Sequence, residues 1–154
     1  MISLKSTKNL TTHFILRAMT ASVFCLIITQ TSFSQTLHIY GGSSHQVYLG
    51  CLNCDSYDSN SIWNEYGTYG SEYSTNSIWN EYGTFGSEYN SYSPWNSYSN
   101  TPPAIVDKAG NFYGYLTTNR YKSNRAESNL TLTVYKYYEF IRKDVSKWYS
   151  KIFS

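Results

Sequence analysis

Apolar and polar positions change rhythm several times along the 154 residues. Residues 18–29, AMTASVFCLIIT, form a mainly apolar run. Leu37-His38-Ile39-Tyr40 then alternates with period two and stops at Gly41-Gly42, the pattern of a short strand and a turn. Residues 46–52, QVYLGCL, read as a second strand. Residues 104–107 (AIVD) and 112–117 (FYGYLT) flank Lys108-Ala109-Gly110-Asn111, which predicts a β-hairpin within 102–121. The polar stretch 118–129 reads as a linker. Beyond it Val134, Tyr138, Ile141, Val145, Trp148 and Ile152 recur at spacings 4, 3, 4, 3 and 4, one face of a helix. The spacing predicts one amphipathic helix over 130–153, capped by Ser128 or Asn129.

Between the strands and the hairpin the chain repeats itself. Residues 61–76 read SIWNEYGTYGSEYSTN and residues 77–92 read SIWNEYGTFGSEYNSY. A third copy opens at Ser93 as SPWNSYSN and decays before Thr101-Pro102-Pro103. Trp63, Trp79 and Trp95 stand in phase, as do Tyr57, Tyr73 and Tyr89, so Asp55-Ser56-Tyr57 reads as the tail of another copy. Identity over so many positions signals duplicated structure. Each copy has room for two short strands: Ile62, Trp63 and Tyr66 in one, Thr68, Tyr69 and Tyr73 in the next. Gly67 and Gly70 would serve as positive-φ bends. A solenoid with one coil per copy needs about three copies and caps, so irregular hairpins are the preferred reading. A disordered Tyr/Ser/Asn/Gly segment is the alternative; the in-phase Trp and Ile positions argue against it. The expected fold class is α+β: a small mainly-β domain of short hairpins from a 16-residue tandem repeat, with a C-terminal amphipathic helix.

Composition alters this picture in two ways. All 17 tyrosines and all four tryptophans lie after residue 35, and Ile62 and Ile78 are the only aliphatic residues between Asp55 and Thr101. Aromatic side chains must therefore fill much of the core, each bringing a polar atom that needs a partner. The beginning of the chain also reads as a separate piece. Lys5, Lys8 and Arg17 precede the apolar run, and Ser32-Phe33-Ser34 follows it, the order of a signal peptide. Residues 1–34 are thus expected to be the signal peptide, with cleavage between Ser34 and Gln35. Residues 35–154 would form a single mature domain: strands and a CxxC motif in 35–60, aromatic repeats in 61–100, then the hairpin and the helix. The apolar run is too short to cross about 30 Å of hydrocarbon comfortably, so no transmembrane segment is expected after cleavage. The expected location is secreted or periplasmic.

The whole chain carries +2, but residues 35–154 hold nine Lys/Arg against ten Asp/Glu, a net −1. That balance excludes a nucleic-acid-binding class. Residues 35–107 contain no Lys or Arg, whereas the nine bases fall in 108–154. An acidic front half is expected to dock on a basic back half.

YLGCLNC, the tandem SIWNEYGTYGSEY units, SPWN and PPAIVDKAGNFYGY together resemble an uncharacterised secreted bacterial domain, over about residues 37–121. The resemblance implies bacterial origin and export. It implies no activity and assigns no site residue.

Candidate chemistry is sparse. Cys51 and Cys54 are the only cysteines after residue 34. In an oxidising compartment such a pair closes as a disulfide. A thioredoxin-like role needs a βαβ setting that is not visible. The sharper alternative is a zinc site of His38, His45, Cys51 and Cys54, a donor set that tetrahedral zinc accepts, although the spacing is not that of a standard finger. Glu65 with Glu81 and Glu72 with Glu88 fall in repeat phase. Calcium, with Asp55, Asp58, Asn60 and Asn64 as further ligands, or the basic C-terminal segment would neutralise them; a solvated acidic face is the simpler reading. No G-x-S-x-G, H-E-x-x-H or P-loop is present, so catalysis is not expected. The expected function is a non-catalytic extracellular or periplasmic structural or interaction module, without a required cofactor. The alternative is a binding platform for a glycan or protein partner made by Trp63, Trp79 and Trp95, or those same indoles are core.

Overall fold

The computed structural model describes residues 35–154; the expected signal peptide, residues 1–34, lies outside the described residues. Four short strands form one antiparallel sheet: β1 (Leu37–Gly41), β2 (Val47–Cys51), β3 (Ala104–Asp107) and β4 (Phe112–Tyr115), in the order β2-β1-β3-β4. Two hairpins thus lie side by side, joined through β1 and β3, although 52 residues separate them in the chain. Ile39 pairs with Ile105 at the centre of the sheet, and both are fully buried. Each hairpin carries a register irregularity, between Ile39 and Tyr40 and between Ile105 and Val106. The expected hairpin in 102–121 is therefore present, with Gly110 at φ +87° in its turn.

Residues 52–103 contain no strand. This corrects the expectation of hairpins in the repeat. The copies consist of consecutive tight turns closed by backbone bonds three or four residues apart. Gly67 N donates to Asn64 O at 2.8 Å and Gly83 N to Asn80 O at 2.9 Å; Ser71 N donates to Gly67 O at 3.1 Å and Ser87 N to Gly83 O at 3.0 Å. The reason is local. Ser and Asn at every second or third position close turns with their own side chains, and these bonds compete with ladder pairing. Gly67 and Gly70 also differ from their expected role, since neither has a positive φ; what Gly70 supplies is space. A Cβ there would fall 2.1 Å from Asn64 O, and at Gly86 2.1 Å from Asn80 O. Glycine is required by the close approach of two backbone segments.

What links one copy to the next is the indole. Trp79 Nε1 donates to Ile62 O at 2.6 Å and Trp95 Nε1 to Ile78 O at 2.5 Å, each reaching back 17 residues. Trp63 Nε1 donates to Leu52 O at 2.7 Å. All three indoles are buried at 1–2 % exposure, and their ring centroids follow at 5.8 and 5.3 Å. Ile62, Ile78, Leu49, Leu52 and Leu116 complete this part of the core.

The C-terminal segment forms two helices, α1 (Asn129–Ile141) and α2 (Val145–Phe153), where one was expected. Ser128 caps α1 by accepting from Thr131 N. Asp144, a strong N-cap residue, accepts from Lys147 N at 3.0 Å and starts α2 afresh. The helices cover opposite ends of the indole column. Tyr138 of α1 stacks on Trp95 at 4.7 Å and 4°, while Tyr149 and Phe153 of α2 lie 6.1 and 5.6 Å from Trp63. Among the described residues no helix is long and apolar enough to cross a membrane.

Candidate interaction surface

Seven exposed tyrosines share one local formula, which the half-buried Tyr92 also has through Asn90. An acceptor side chain two residues earlier bonds each tyrosine's backbone N–H: Asp55 for Tyr57, Asn64 for Tyr66, Ser71 for Tyr73, Asn80 for Tyr82, Ser87 for Tyr89, Asn96 for Tyr98 and Asn119 for Tyr121. Such Asx and Ser turns fix the backbone without help from packing. The rings point outward, and none of the seven is less than 83 % exposed. Trp63, Trp79 and Trp95 use the same device, with Ser61, Ser77 and Ser93 as acceptors at 3.1 Å, yet point inward. A turn alternately aimed in and out thus builds a core of indoles and a surface of phenols from one repeat. Tyr66, Tyr82 and Tyr98 recur at 16-residue intervals, and so do Tyr57, Tyr73 and Tyr89.

Glutamates accompany the rings. Glu65, Glu72 and Glu81 each precede an exposed tyrosine, and a hydrogen bond to that carboxylate, reinforced by its charge, pushes the phenol pKa up at Tyr66, Tyr73 and Tyr82. Arg142, between the two helices, enters the second copy. Its Nη1 lies 3.5 Å from Glu81 Oε2 and 3.9 Å from Glu88 Oε1, and its Nη2 donates to Gly86 O at 3.3 Å. The guanidinium carbon sits 5.3 Å from the centre of the Tyr138 ring. Tyr138 Oη in turn donates to Glu88 at 3.2 Å. Burial, then the charges of Glu88 and Glu139, push that phenol up to about 12. The basic segment therefore meets the acidic copies through one arginine, a residue that the helical periodicity left off the packing face.

Cys51 and Cys54 are disulfide-bonded, with Cα atoms 5.6 Å apart, so neither sulfur is free as a thiolate ligand. His38 Nδ1 lies 3.0 Å from Tyr48 Oη, and His45 Nε2 donates to Pro102 O at 2.9 Å. The four proposed zinc donors are thus committed elsewhere, and among the described residues no group of three or more His, Cys, Asp or Glu is placed to hold a metal. Of the proposed calcium ligands Asp55, Asp58, Asn60 and Asn64, the first two and Asn64 accept backbone N–H groups of their own turns. Trp63, Trp79 and Trp95 cannot present a platform, because 98–99 % of each residue's surface is covered. The exposed tyrosines were not singled out from sequence. The signal was there, as Asx or Ser two places before every one of them.

No protein family, no curated protein and no solved structure matches this chain. The surface offers phenols presented on side-chain-closed turns, carboxylates beside them, and a groove at the α1–α2 junction.

Proposed function

We propose that the protein is an exported, non-catalytic interaction module of the bacterial cell surface or periplasm, whose working face is the exposed tyrosine array of the 16-residue copies. The observation that carries this reading is the tyrosine set itself, six large rings of the copies (Tyr57, Tyr66, Tyr73, Tyr82, Tyr89 and Tyr98) at least 83 % exposed on turns closed by side chains. Large aromatic side chains on a fixed backbone bring contact area at low entropic cost, which is why tyrosine is enriched in recognition surfaces. Large aromatic rings exposed in such number favour an interaction role over a merely solvated surface. The interleaved carboxylates favour a protein partner with basic side chains; a glycan partner is the competing outcome. Export is supported by Lys5, Lys8, Arg17 and the apolar run 18–29, and the Cys51–Cys54 disulfide suits an oxidising compartment.

The test is the triple variant Tyr66→Ser/Tyr82→Ser/Tyr98→Ser, compared with wild type in thermal melting and in binding to arginine-bearing peptides and to cell-envelope polysaccharide. Exposed rings away from the core should leave the melt nearly unchanged, within about 0.5 kcal/mol per site, while peptide binding is lost. Peptide binding equal to wild type, or binding to polysaccharide alone, overturns the reading of a protein-binding tyrosine face.

A further inference from the structure

Trp148 stands apart from the other three tryptophans. Their indole N–H groups are bonded inside the core, to Leu52 O, Ile62 O and Ile78 O. Trp148 is half-buried on α2, and among the described residues its N–H has no acceptor. Its ring stacks on Tyr137 of α1 at 4.9 Å and 29°, lies 6.3 Å from Phe140 and carries Lys151 Nζ 4.7 Å from its centre. Lys136 Nζ sits 5.0 Å from the centre of the Tyr137 ring. Phe140 is 58 % exposed, and both lysines are exposed. The two helices thus share one aromatic surface, with a lysine over each of the stacked rings. The acids nearest in sequence are engaged elsewhere: Tyr138 Oη donates to Glu139 at 3.3 Å, and Asp144 accepts from Lys147 N at 3.0 Å. Among the described residues only Arg125 and Arg142 form ion pairs, so neither lysine has a carboxylate partner.

We propose that this lysine-rimmed aromatic surface receives the tyrosine face of a second copy of the chain, so that the protein associates with itself. The inference rests on the tyrosine-face reading and names the protein recognised. Charge complementarity selects the occupant. Residues 35–107 contain no Lys or Arg, and the exposed carboxylates of Asp58, Glu72 and Glu81 adjoin exposed tyrosines in sequence. Such carboxylates suit Lys136 and Lys151, and phenol rings suit Tyr137, Phe140 and Trp148. A carboxylate or phenol oxygen also gives the Trp148 N–H the acceptor it lacks. Aromatic rings within a charged rim are the common make-up of a protein interface. The helices hold their own copies through other rings, Tyr138 on Trp95 and Tyr149 beside Trp63, which leaves this surface for another molecule. An anionic bilayer is the poorer occupant. Residues 35–154 hold nine Lys/Arg against ten Asp/Glu, and acids of the copies border the helices at Tyr138–Glu88 and Tyr149–Asp55, where a negative membrane surface repels them. The two surfaces are unlike, so the contact can recur from copy to copy.

The experiment is sedimentation velocity of the exported protein over a concentration series, at low salt and with about 0.5 M salt added. Expected is a mass that rises with concentration, and association at least about tenfold weaker in the added salt because exposed charges are screened. Lys136→Glu/Lys151→Glu reverses the charge of one surface, and Tyr66→Ser/Tyr82→Ser/Tyr98→Ser strips the other. Each variant alone should stay monomeric. Mixed, the two should bind one another, because each supplies the surface that the other lacks. Phe140→Ser replaces the lysine variant if that one fails a thermal-melting check. Wild type that is monomeric at every concentration, variants that self-associate like wild type, or variants that do not bind when mixed overturn the proposal. A monomer that still binds arginine-bearing peptides through Tyr66, Tyr82 and Tyr98 keeps the tyrosine face and removes the second copy as its partner. Capture of monomeric protein by phosphatidylglycerol vesicles, abolished in Lys136→Glu/Lys151→Glu, also overturns it and assigns the helix surface to a bilayer.

Discussion

Asp107 shows how much one side chain organises at the turn between β3 and β4. It is 3 % exposed and accepts from Ala109 N, Asn111 N, Asn111 Nδ2, Tyr113 Oη and Gln35 Nε2. Burial is the largest single influence on its carboxyl and pushes it up; the hydrogen bonds from Asn111, Tyr113 and Ala109 together outweigh it and hold it below the usual carboxylate range. A folded-state pKa below the unfolded one means that the contribution to stability is present above the ordinary aspartate value, about 3.9, and fades as pH falls through the lowered value. Denaturation midpoints measured downward from pH 7 should therefore drop more steeply for wild type than for Asp107→Asn. Parallel curves would mean that this carboxyl is not the acid-sensitive group. At the same scale, the identity of each acceptor in a D/N/S-x-Y turn was legible, because an Asx or Ser turn is a property of three residues. Which way the ring points was not, because Ser-x-Trp closes the same turn and faces inward.

At the scale of elements, the glycines of the repeat separate space from torsion. Gly70→Ala would put a methyl 2.1 Å from the Asn64 carbonyl, whereas at Gly67 the nearest atom, Asn64 Cγ, is 3.1 Å away. Urea denaturation should find Gly70→Ala costing about 3 kcal/mol, the upper range of overpacking, and Gly67→Ala clearly less. Similar losses at both would return the explanation to backbone flexibility. The helices carry a related lesson. The spacing from Val134 to Ile152 runs on through the break at residues 142–144, since a 4, 3, 4 rhythm stays on one side of the core whether or not the backbone is continuous. Asp144 was the stop-and-start signal within it, an N-cap residue in the middle of an apparently unbroken face.

At the scale of the whole molecule, the indole column joins sheet, copies and helices into one core. Trp79 lies between Trp63 and Trp95, and the outer two meet α2 and α1. Trp79→Ala should cost about 3–5 kcal/mol, much of the 5–15 kcal/mol that holds a domain together, and α1 and α2 should melt with the rest in a single transition followed by circular dichroism. A variant in which the helices melt separately would show that the column does not couple them.

Hydrophobic rhythm determined the strands within 37–52, the hairpin within 102–121 and the helical C-terminal segment, because strands of four or five residues and an amphipathic face are set by neighbours in sequence, and composition determined an aromatic core. Near-identity of the copies likewise determined that Trp63 and Trp79 would have equivalent surroundings. Only the tertiary structure decided that the copies are chains of turns, since turn bonds and ladder bonds draw on the same backbone groups and the winner depends on what packs beside them. It also decided that indoles are covered and phenols exposed: both are large aromatics, and burial depends on which coil and which helix lie next to the ring. Arg142 marks the limit most clearly. Glu65 and Glu72 match Glu81 and Glu88 letter for letter, yet among the described residues only the second pair forms ion pairs with a guanidinium. A single arginine at the helix junction reaches one coil, and a repeat cannot encode where another part of the chain will meet it.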